Sequence, residues 1–150
     1  LDYLNYRWTV VPYFYSLNDL PFETGLVFSE QVKQDGHPEV IKRAVEHFCS
    51  LKKLPTAIVL PGDPYAPVFY EQFKLRGIKI PDDISFVGYD NQQVAEYLDP
   101  GLTTIAKPFE SMAHRAVDLL LKKIDNPQLP NERVLLEPEL IDRGSVAKLN

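Results

Sequence analysis

Helical periodicity dominates the pattern of apolar and polar residues along this chain. The clearest stretch is 108–125, where apolar residues recur every three or four positions and form one face of a helix. That face consists of Phe109, Met112, Ala113, Ala116, Val117, Leu120 and Ile124. The helix begins at Pro108, and the pair Asn126-Pro127 ends it. The same spacing predicts helices over residues 3–17, 38–51, 68–75 and, as one short helix, 92–97.

Short apolar runs bounded by prolines, glycines and polar residues separate these helices. They predict strands at residues 25–28, 56–60, 84–88 and 102–105, followed by two short late strands at 133–136 and 140–141. Strands that alternate with helices predict an α/β fold, with a parallel sheet and helices on both faces. We expect the core of the sheet to contain Val27, Ile58, Val59, Phe86 and Val87.

Two aspartates follow predicted strands at the sheet edge where ligands usually bind. In parallel sheets ligands gather at the carboxyl ends of the strands, where the loops leave. Asp63 follows the strand at 56–60, and Asp90 follows the strand at 84–88. Taken singly, Asp63 is interpreted as a helix cap and Asp90 as a turn residue. Together they favour a binding edge, because a carboxylate accepts several hydrogen bonds from sugar hydroxyls or polar base edges.

Composition and charge narrow the class of protein. With 150 residues, of which 45% are hydrophobic and 25% charged, the chain is predicted to be a globular domain or most of one lobe of a larger protein. Its net charge of -5 argues against direct binding to DNA or to an anionic membrane. No apolar run reaches the roughly 18 residues of a membrane-spanning helix, and no signal peptide is recognisable. A single cysteine, Cys49, permits no internal disulfide, which fits a reducing cytoplasm.

Signatures of enzymes and metal sites are missing from the sequence. It contains no Walker loop, no GxGxxG after a strand, no GxSxG elbow and no HExxH. The three histidines are scattered: His37, His47 and His114. Glu137 and Glu139 alternate in a late extended segment, which is typical of a solvated edge rather than an acid–base pair. The sequence therefore predicts a protein that is not an enzyme, with no catalytic residue, no metal site and no cofactor.

An ordered run of sequence motifs extends from residue 54 to residue 145. It opens with Leu-Pro-Thr-Ala-Ile at 54–58 and Asp63-x-x-Ala66. It continues with Arg-Gly-Ile-Lys-Ile-Pro-Asp-Asp-Ile-Ser-Phe-Val-Gly-Tyr-Asp-Asn at 76–91 and Ala-Glu-Tyr-Leu-Asp-Pro-Gly-Leu-Thr-Thr-Ile at 95–105. Pro108, Met112-Ala113 and Leu-Ile-Asp-Arg-Gly-Ser at 140–145 complete it. Each piece alone is common, but the ordered set resembles the lactose/galactose repressor family of bacterial transcription regulators.

The resemblance implies a periplasmic-binding-protein-like effector domain of type I, in which two α/β lobes hold a small molecule between them. The effector, expected to be a carbohydrate, changes lobe closure and thereby the way a dimer presents helix-turn-helix heads to operator DNA. Residues 1–101 and 133–150 then form mostly the C-terminal lobe, while 102–132 form the crossover and a helix of the N-terminal lobe. The DNA-binding head is expected to lie outside residues 1–150. In the intact regulator that head, and not the surface of this domain, is expected to contact operator DNA.

The resemblance also implies three ligand-binding residues. Arg7 matches an arginine that opens a helix of the second lobe, and Asp90 matches the acidic residue after a glycine–aromatic pair. Asp63 matches the aspartate of the preceding loop. Arg7 would clamp a carboxylate or sugar hydroxyls, and packing of its guanidinium on Trp8 is the open alternative.

Two other functions are compatible with this fold class. A secreted sugar-binding protein of the ribose type, serving an ABC transporter, shares the fold, but the Leu-Thr-Thr crossover and the Arg-x-Ser ending favour the regulator. An enzyme on a flavodoxin-like sheet is disfavoured by the missing catalytic residues. We therefore expect a cytoplasmic regulator that has no contact with a membrane.

The apolar face of the helix at 108–125 predicts a homodimer. Burying one such side chain is worth about 1.5–3 kcal/mol, so the face needs a cover. In the intact regulator the first lobe would supply it, and most of that lobe lies outside this chain. The face is then covered by a second copy or by folding back on the chain's own sheet, and a second copy is expected, because symmetric dimers are the commonest association of exposed apolar surfaces.

Overall fold

Four strands and four α-helices lie in the residues that this computed structural model describes, 24–28 and 37–148. In chain order they are α1 (His37–Ser50), β1 (Ala57–Val59), α2 (Ala66–Leu75), β2 (Ser85–Tyr89), α3 (Val94–Tyr97), β3 (Thr103–Ala106), α4 (Phe109–Asp125) and β4 (Glu139–Ile141). Single turns of 3-10 helix occur at Thr24–Leu26 and Asp63–Tyr65. The predicted helices at 38–51, 68–75, 92–97 and 108–125 are confirmed, with ends that differ by a few residues.

The strands form one sheet in the order β1-β2-β3-β4. β1 and β2 are parallel, with Ile58 opposite Phe86, and β2 and β3 are parallel, with Gly88 opposite Thr104. β4 is the edge strand and runs antiparallel to β3. The α/β class with a mostly parallel sheet and helices is thereby confirmed.

The core lies between one face of the sheet and α2. Phe86 of β2 is fully buried, and its ring centroid lies 5.8 Å from that of Phe69 and 5.7 Å from that of Phe73, both on α2. α1 packs against α2 and buries the apolar face that the sequence predicted. Its buried residues are Ile41, Ala44, Val45 and Phe48. Because each large side chain contributes about 1.5–3 kcal/mol, this layer supplies much of the folding free energy.

Three of the five expected core residues, Val27, Val59 and Val87, lie outside the buried core, and Val87 is only half-buried. Val59 is 76% exposed, since residues alternate along a strand and Ile58 takes the face that meets α2. Val27 belongs to no strand in the described residues 24–28, so the predicted strand at 25–28 is wrong. Its neighbour Phe28 instead packs on α1, with its ring centroid 6.5 Å from that of Phe48. A short apolar run can be satisfied by packing on a helix as well as by joining a sheet.

The chain after α4 also differs from the prediction in part. Residues 133–136 form no strand, and Leu135 is 78% exposed. The strand predicted at 140–141 is present as β4, where Leu140 lies opposite Ile105.

The helix α4 stands apart from the core along its whole length. None of the residues of Phe109–Asp125 is buried. The exposed large side chains on it are Phe109, Met112, Val117, Leu120, Leu121 and Ile124. The apolar face that the sequence predicted is thus present and lacks a cover within the described part of the chain.

Part of the sequence-based prediction concerns residues that are not described. The helix predicted at 3–17, and with it Arg7, falls outside residues 24–28 and 37–148. Within those described ranges, no helix is both long and apolar enough to cross a membrane.

Candidate functional site

The carboxyl ends of β1 and β2 lie side by side, because the two strands run parallel. Asp63 follows β1 at the start of a 3-10 turn, and Asp90 follows β2 directly. The two loops meet where the carboxylate of Asp63 accepts a hydrogen bond from the backbone N–H of Gln92. The structure therefore brings the loops of Asp63 and Asp90 together at one edge of the sheet. The place of Arg7 at this edge stays a prediction.

Asp63 is fully buried, and both of its carboxylate oxygens accept hydrogen bonds. Oδ1 accepts from the hydroxyl of Thr104 on β3 at 2.7 Å, and Oδ2 accepts from the N–H of Gln92 at 2.7 Å. The interpretation of Asp63 as a cap of its own helix is wrong, because these bonds lead to β3 and to the chain just ahead of α3. A buried carboxylate is costly unless it is hydrogen-bonded, so the two bonds fix these elements to one another. Direct contact of Asp63 with a ligand stays a prediction.

Gly88 on β2 makes room for the Asp63 carboxylate. A Cβ atom at this position would lie 2.1 Å from Asp63 Oδ1 and 2.7 Å from Cδ2 of Leu102. Only glycine therefore lets the carboxylate approach the strand this closely. The sequence analysis did not single out Gly88, although a glycine inside a predicted strand can indicate such an approach.

The loop after β2 holds two successive residues in the left-handed region of backbone conformation. Asp90 has φ 100° and Asn91 has φ 50°, and such conformations cost on the order of 1–3 kcal/mol each. The N–H of Asp90 donates to the carbonyl of Ile105 at 2.9 Å, and the N–H of Asn91 donates to the Thr104 hydroxyl at 3.4 Å. Strained backbone that is held from several sides is typical of ligand sites.

Arg143 holds the same loop from the C-terminal side of the chain. Its Nη2 donates to Oδ1 of Asn91 at 2.7 Å and lies 3.3 Å from the carboxylate of Glu96 on α3. Its Nη1 donates to the carbonyl of Leu102 at 3.3 Å. The sequence motif contained Arg143, but the role of its side chain in positioning Asn91 was missed.

Ser145 ties the strands together below this loop. It is fully buried, and its hydroxyl donates to the carbonyl of Phe86 at 2.6 Å and accepts from the N–H of Thr103 at 2.8 Å. The Arg-x-Ser ending of the motif run therefore fixes β2 and β3, the two strands that carry the site.

Lys107, just after β3, brings a positive charge to Asp90. Its Nζ lies 2.5 Å from Asp90 Oδ1, which is ion-pair distance, although the approach does not have hydrogen-bond geometry. The same Nζ lies 5.1 Å from the ring centroid of Tyr89 and 4.9 Å from that of Phe109. Both rings are partly exposed. The sequence analysis placed Tyr89 in a motif and Phe109 on the apolar face of a helix, but it assigned neither of them to the site, nor Lys107.

The arrangement is suited to binding a small polar molecule. A carboxylate, an ammonium group, an amide and two aromatic rings can hold a small polar molecule by hydrogen bonds and ring packing. Within the ranges that the structure describes, no three His, Cys, Asp or Glu side chains are grouped to hold a metal ion.

Comparison with known proteins gives consistent matches. Residues 15–146 match the periplasmic binding protein-like domain. The HTH-type transcriptional repressor PurR of Vibrio campbellii is 36% identical over 107 residues, which are 71% of this chain and 32% of that protein. The chain thus spans about a third of the length of this curated relative.

Solved structures of regulators share the fold. A regulatory protein of the LacI family from Chloroflexus aggregans has a TM-score of 0.78 and 26% identity, over 95% of this chain and 50% of that one. A LacI family transcriptional regulator from Enterococcus faecalis, solved with bound ribose, has a TM-score of 0.70 and 29% identity, over 93% of this chain and 49% of that one.

Proposed function

Since this chain belongs to the periplasmic binding protein-like domain family and is an effector-binding domain of the lactose/galactose repressor type, we propose that it senses a small molecule for a transcription regulator. Binding of the effector changes the closure of two lobes, and closure changes the grip of a separate helix-turn-helix head on operator DNA. The regulator acts in the cytoplasm. The relatives are repressors and regulators, which supports sensing rather than catalysis.

The observation that carries this proposal is the strained loop at Asp90. Two successive residues with positive φ cost on the order of 1–3 kcal/mol each, and strain of this kind clusters at ligand sites, although Asp and Asn tolerate it better than other residues. Bonds to Ile105, Thr104 and Arg143 hold this loop at the sheet edge where α/β folds bind ligands. In the proposed function Asp90 accepts hydrogen bonds from the effector.

The proposal gives the two other predicted site residues separate tasks. Asp63 is completely buried and bonded on both oxygens, which supports a positioning role through the N–H of Gln92. Arg7 would approach the effector from the segment at 3–17. The effector is a sugar in this proposal, since a related regulator was solved with ribose.

The two-lobed arrangement assigns α4 to a different lobe from the sheet. Residues 1–101 and 133–150 contribute mostly to the C-terminal lobe, and 102–132 contribute the crossover and a helix of the N-terminal lobe. The bare apolar face of α4 supports this division, because it lacks a cover within the described residues. In the chain by itself a second copy covers the face, and the protein forms a homodimer.

Calorimetric titration of the purified protein with D-ribose tests the proposed function. The variant Asp90→Asn keeps a residue that tolerates the left-handed region but removes the carboxylate charge. We expect it to lower the affinity at least about tenfold, as for loss of a charge-assisted hydrogen bond worth about 1.5–3 kcal/mol. Asp118→Asn, on the exposed surface of α4, is the matched control and leaves the affinity unchanged. Equal affinity of the Asp90→Asn variant and the unaltered protein would contradict the proposal.

A further inference from the structure

The pair formed by Lys107 and Asp90 is the chemically most specific feature of the sheet edge. Both side chains are only partly exposed, 30% for Lys107 and 26% for Asp90, and their charged atoms lie 2.5 Å apart. The ammonium group also lies over the rings of Tyr89 and Phe109. A carboxylate and two rings thus surround one cation on several sides.

Each partner of this pair compensates the charge of the other as long as both remain. Removing one partner of a desolvated pair leaves the other charge uncompensated, and that is the costly state. A ligand that brings its own charge has the same effect on one of the two partners. An anionic ligand that binds Lys107 is repelled by Asp90, and a cationic ligand that binds Asp90 is repelled by Lys107.

An uncharged polyol satisfies both partners without breaking the charge balance. Each hydroxyl donates one hydrogen bond and accepts others, so neighbouring hydroxyls can donate to Asp90 and accept from Lys107. Oδ1 of Asp90 is itself buried beside Nζ of Lys107, so a ligand reaches the pair through the parts of the two side chains that stay exposed, 26% of Asp90 and 30% of Lys107. The partly exposed rings of Tyr89 and Phe109 offer apolar surface to the C–H face of such a molecule.

From this arrangement we infer that Lys107 is a specificity-determining residue, which restricts the site to uncharged polyhydroxylated ligands. The inference rests on the proposed function and adds the ligand's charge class to it. Lys107 does so by neutralising Asp90 and by donating hydrogen bonds to the ligand. The opposite changes Lys107→Gln and Asp90→Asn therefore shift the preference for ligand charge in opposite directions.

The test measures the binding of three probes that share one sugar skeleton by calorimetric titration of the purified protein. D-ribose is uncharged, 2-amino-2-deoxy-D-ribose carries an ammonium group, and D-ribose 5-phosphate is anionic. The unaltered protein is expected to prefer D-ribose by about tenfold or more over both charged probes. Lys107→Gln is expected to raise the relative affinity for the amino sugar about tenfold, and Asp90→Asn to raise that for the phosphate about tenfold. Lys122→Gln, which removes an exposed lysine of α4, serves as control and leaves the order unchanged.

The possible results separate the inference from the proposed function. A shift of the two variants in opposite directions supports the inference. If the unaltered protein prefers D-ribose 5-phosphate and loses this preference in Lys107→Gln, Lys107 is an anion-binding residue and the inference is wrong while the proposed function stands. If the charge preference is the same in all variants, the inference is also wrong. If none of the probes binds to any of the proteins, the proposed sugar-sensing function fails and the inference fails with it.

Discussion

The sheet edge around Asp63 and the helix α4 use polar and apolar residues in opposite ways. At the edge, buried polar groups of Asp63, Thr104 and Ser145 bond to one another's strands and loops. Along α4, large apolar side chains such as Leu120 remain exposed, and no residue of Phe109–Asp125 is buried. The buried side chains of Asp63, Thr104 and Ser145 find their partners within the described residues, whereas the apolar face of α4 has no cover there. From this contrast we expect the sheet edge and the core to contribute to folding free energy, and the face of α4 to contribute little to it.

Shortening one large side chain in the core and one on α4 compares what the two regions contribute to the free energy of unfolding. Phe73→Ala, in the fully buried layer beneath the sheet, is expected to lower the free energy of unfolding by about 3–5 kcal/mol. Leu120→Ala, at a position that is 59% exposed on α4, should change it by less than about 0.5 kcal/mol. Urea denaturation followed by circular dichroism measures both. Similar losses in the two variants would mean that α4 is part of the folding core.

A methyl group at Gly88 tests how tightly the sheet edge is built. Gly88→Ala places a Cβ atom on the Asp63 carboxylate, so we expect a loss of about 2–3 kcal/mol in the free energy of unfolding, near the top of the range for overpacking. Gly62→Ala is the matched control, because its nearest contact would be an ordinary 3.6 Å and its backbone is extended. Thermal and urea unfolding of both variants give the comparison. A neutral Gly88→Ala would show that the carboxylate can move away at little cost.

The hydroxyl of Thr104 offers a milder change at the same edge. Thr104→Val keeps the side-chain shape and removes the group that donates to Asp63 and accepts from the N–H of Asn91. We expect a loss of about 1–2 kcal/mol, because a buried carboxylate oxygen then lacks its partner. The exposed Thr56→Val should have almost no effect. The same stability in both valine variants would argue against a structural role for the Asp63 bond.

Self-association of the chain is the smallest expected effect and concerns α4 alone. Static light scattering over a dilution series should show a mass that rises with concentration toward twice the 17.2 kDa of the chain. Leu120→Gln should shift the rise to higher concentration, since it removes apolar surface from the contact, and Lys122→Gln should not. A mass that stays at one chain at all concentrations, with α4 ordered and exposed, would contradict the homodimer.

Local patterns were enough to predict most elements of the fold. In the helices α1, α2 and α4, apolar residues recur every three or four positions. The strands β1, β2 and β3 are short apolar runs between residues that favour turns. The predicted strand at 25–28 failed because four apolar residues do not show whether the run joins a sheet or packs on a helix. The direction of β4 could not be predicted, since it depends on pairing with Ile105 far earlier in the chain.

The candidate site was predictable only in outline. Loop placement was sufficient to select Asp63 and Asp90, because both follow strands of a parallel sheet. Their partners are distant in sequence: Thr104 is 41 residues from Asp63, and Arg143 is 52 residues from Asn91. Sequence spacing carries no information on such contacts. The ammonium group of Lys107 next to Asp90 can be recognised only once the fold is known.

Nuclear magnetic resonance can show most directly whether a sugar binds at the sheet edge next to Asp90. Backbone amide signals of the isotope-labelled protein are followed while D-ribose is added. We expect concentration-dependent shifts of the amide signals of Asp90, Asn91, Gln92 and Lys107, whereas the amide signals of α1 stay unchanged. Shifts that cluster on α1, or signals at 90–92 that do not move at any ribose concentration, would contradict the claim that this sheet edge senses a sugar.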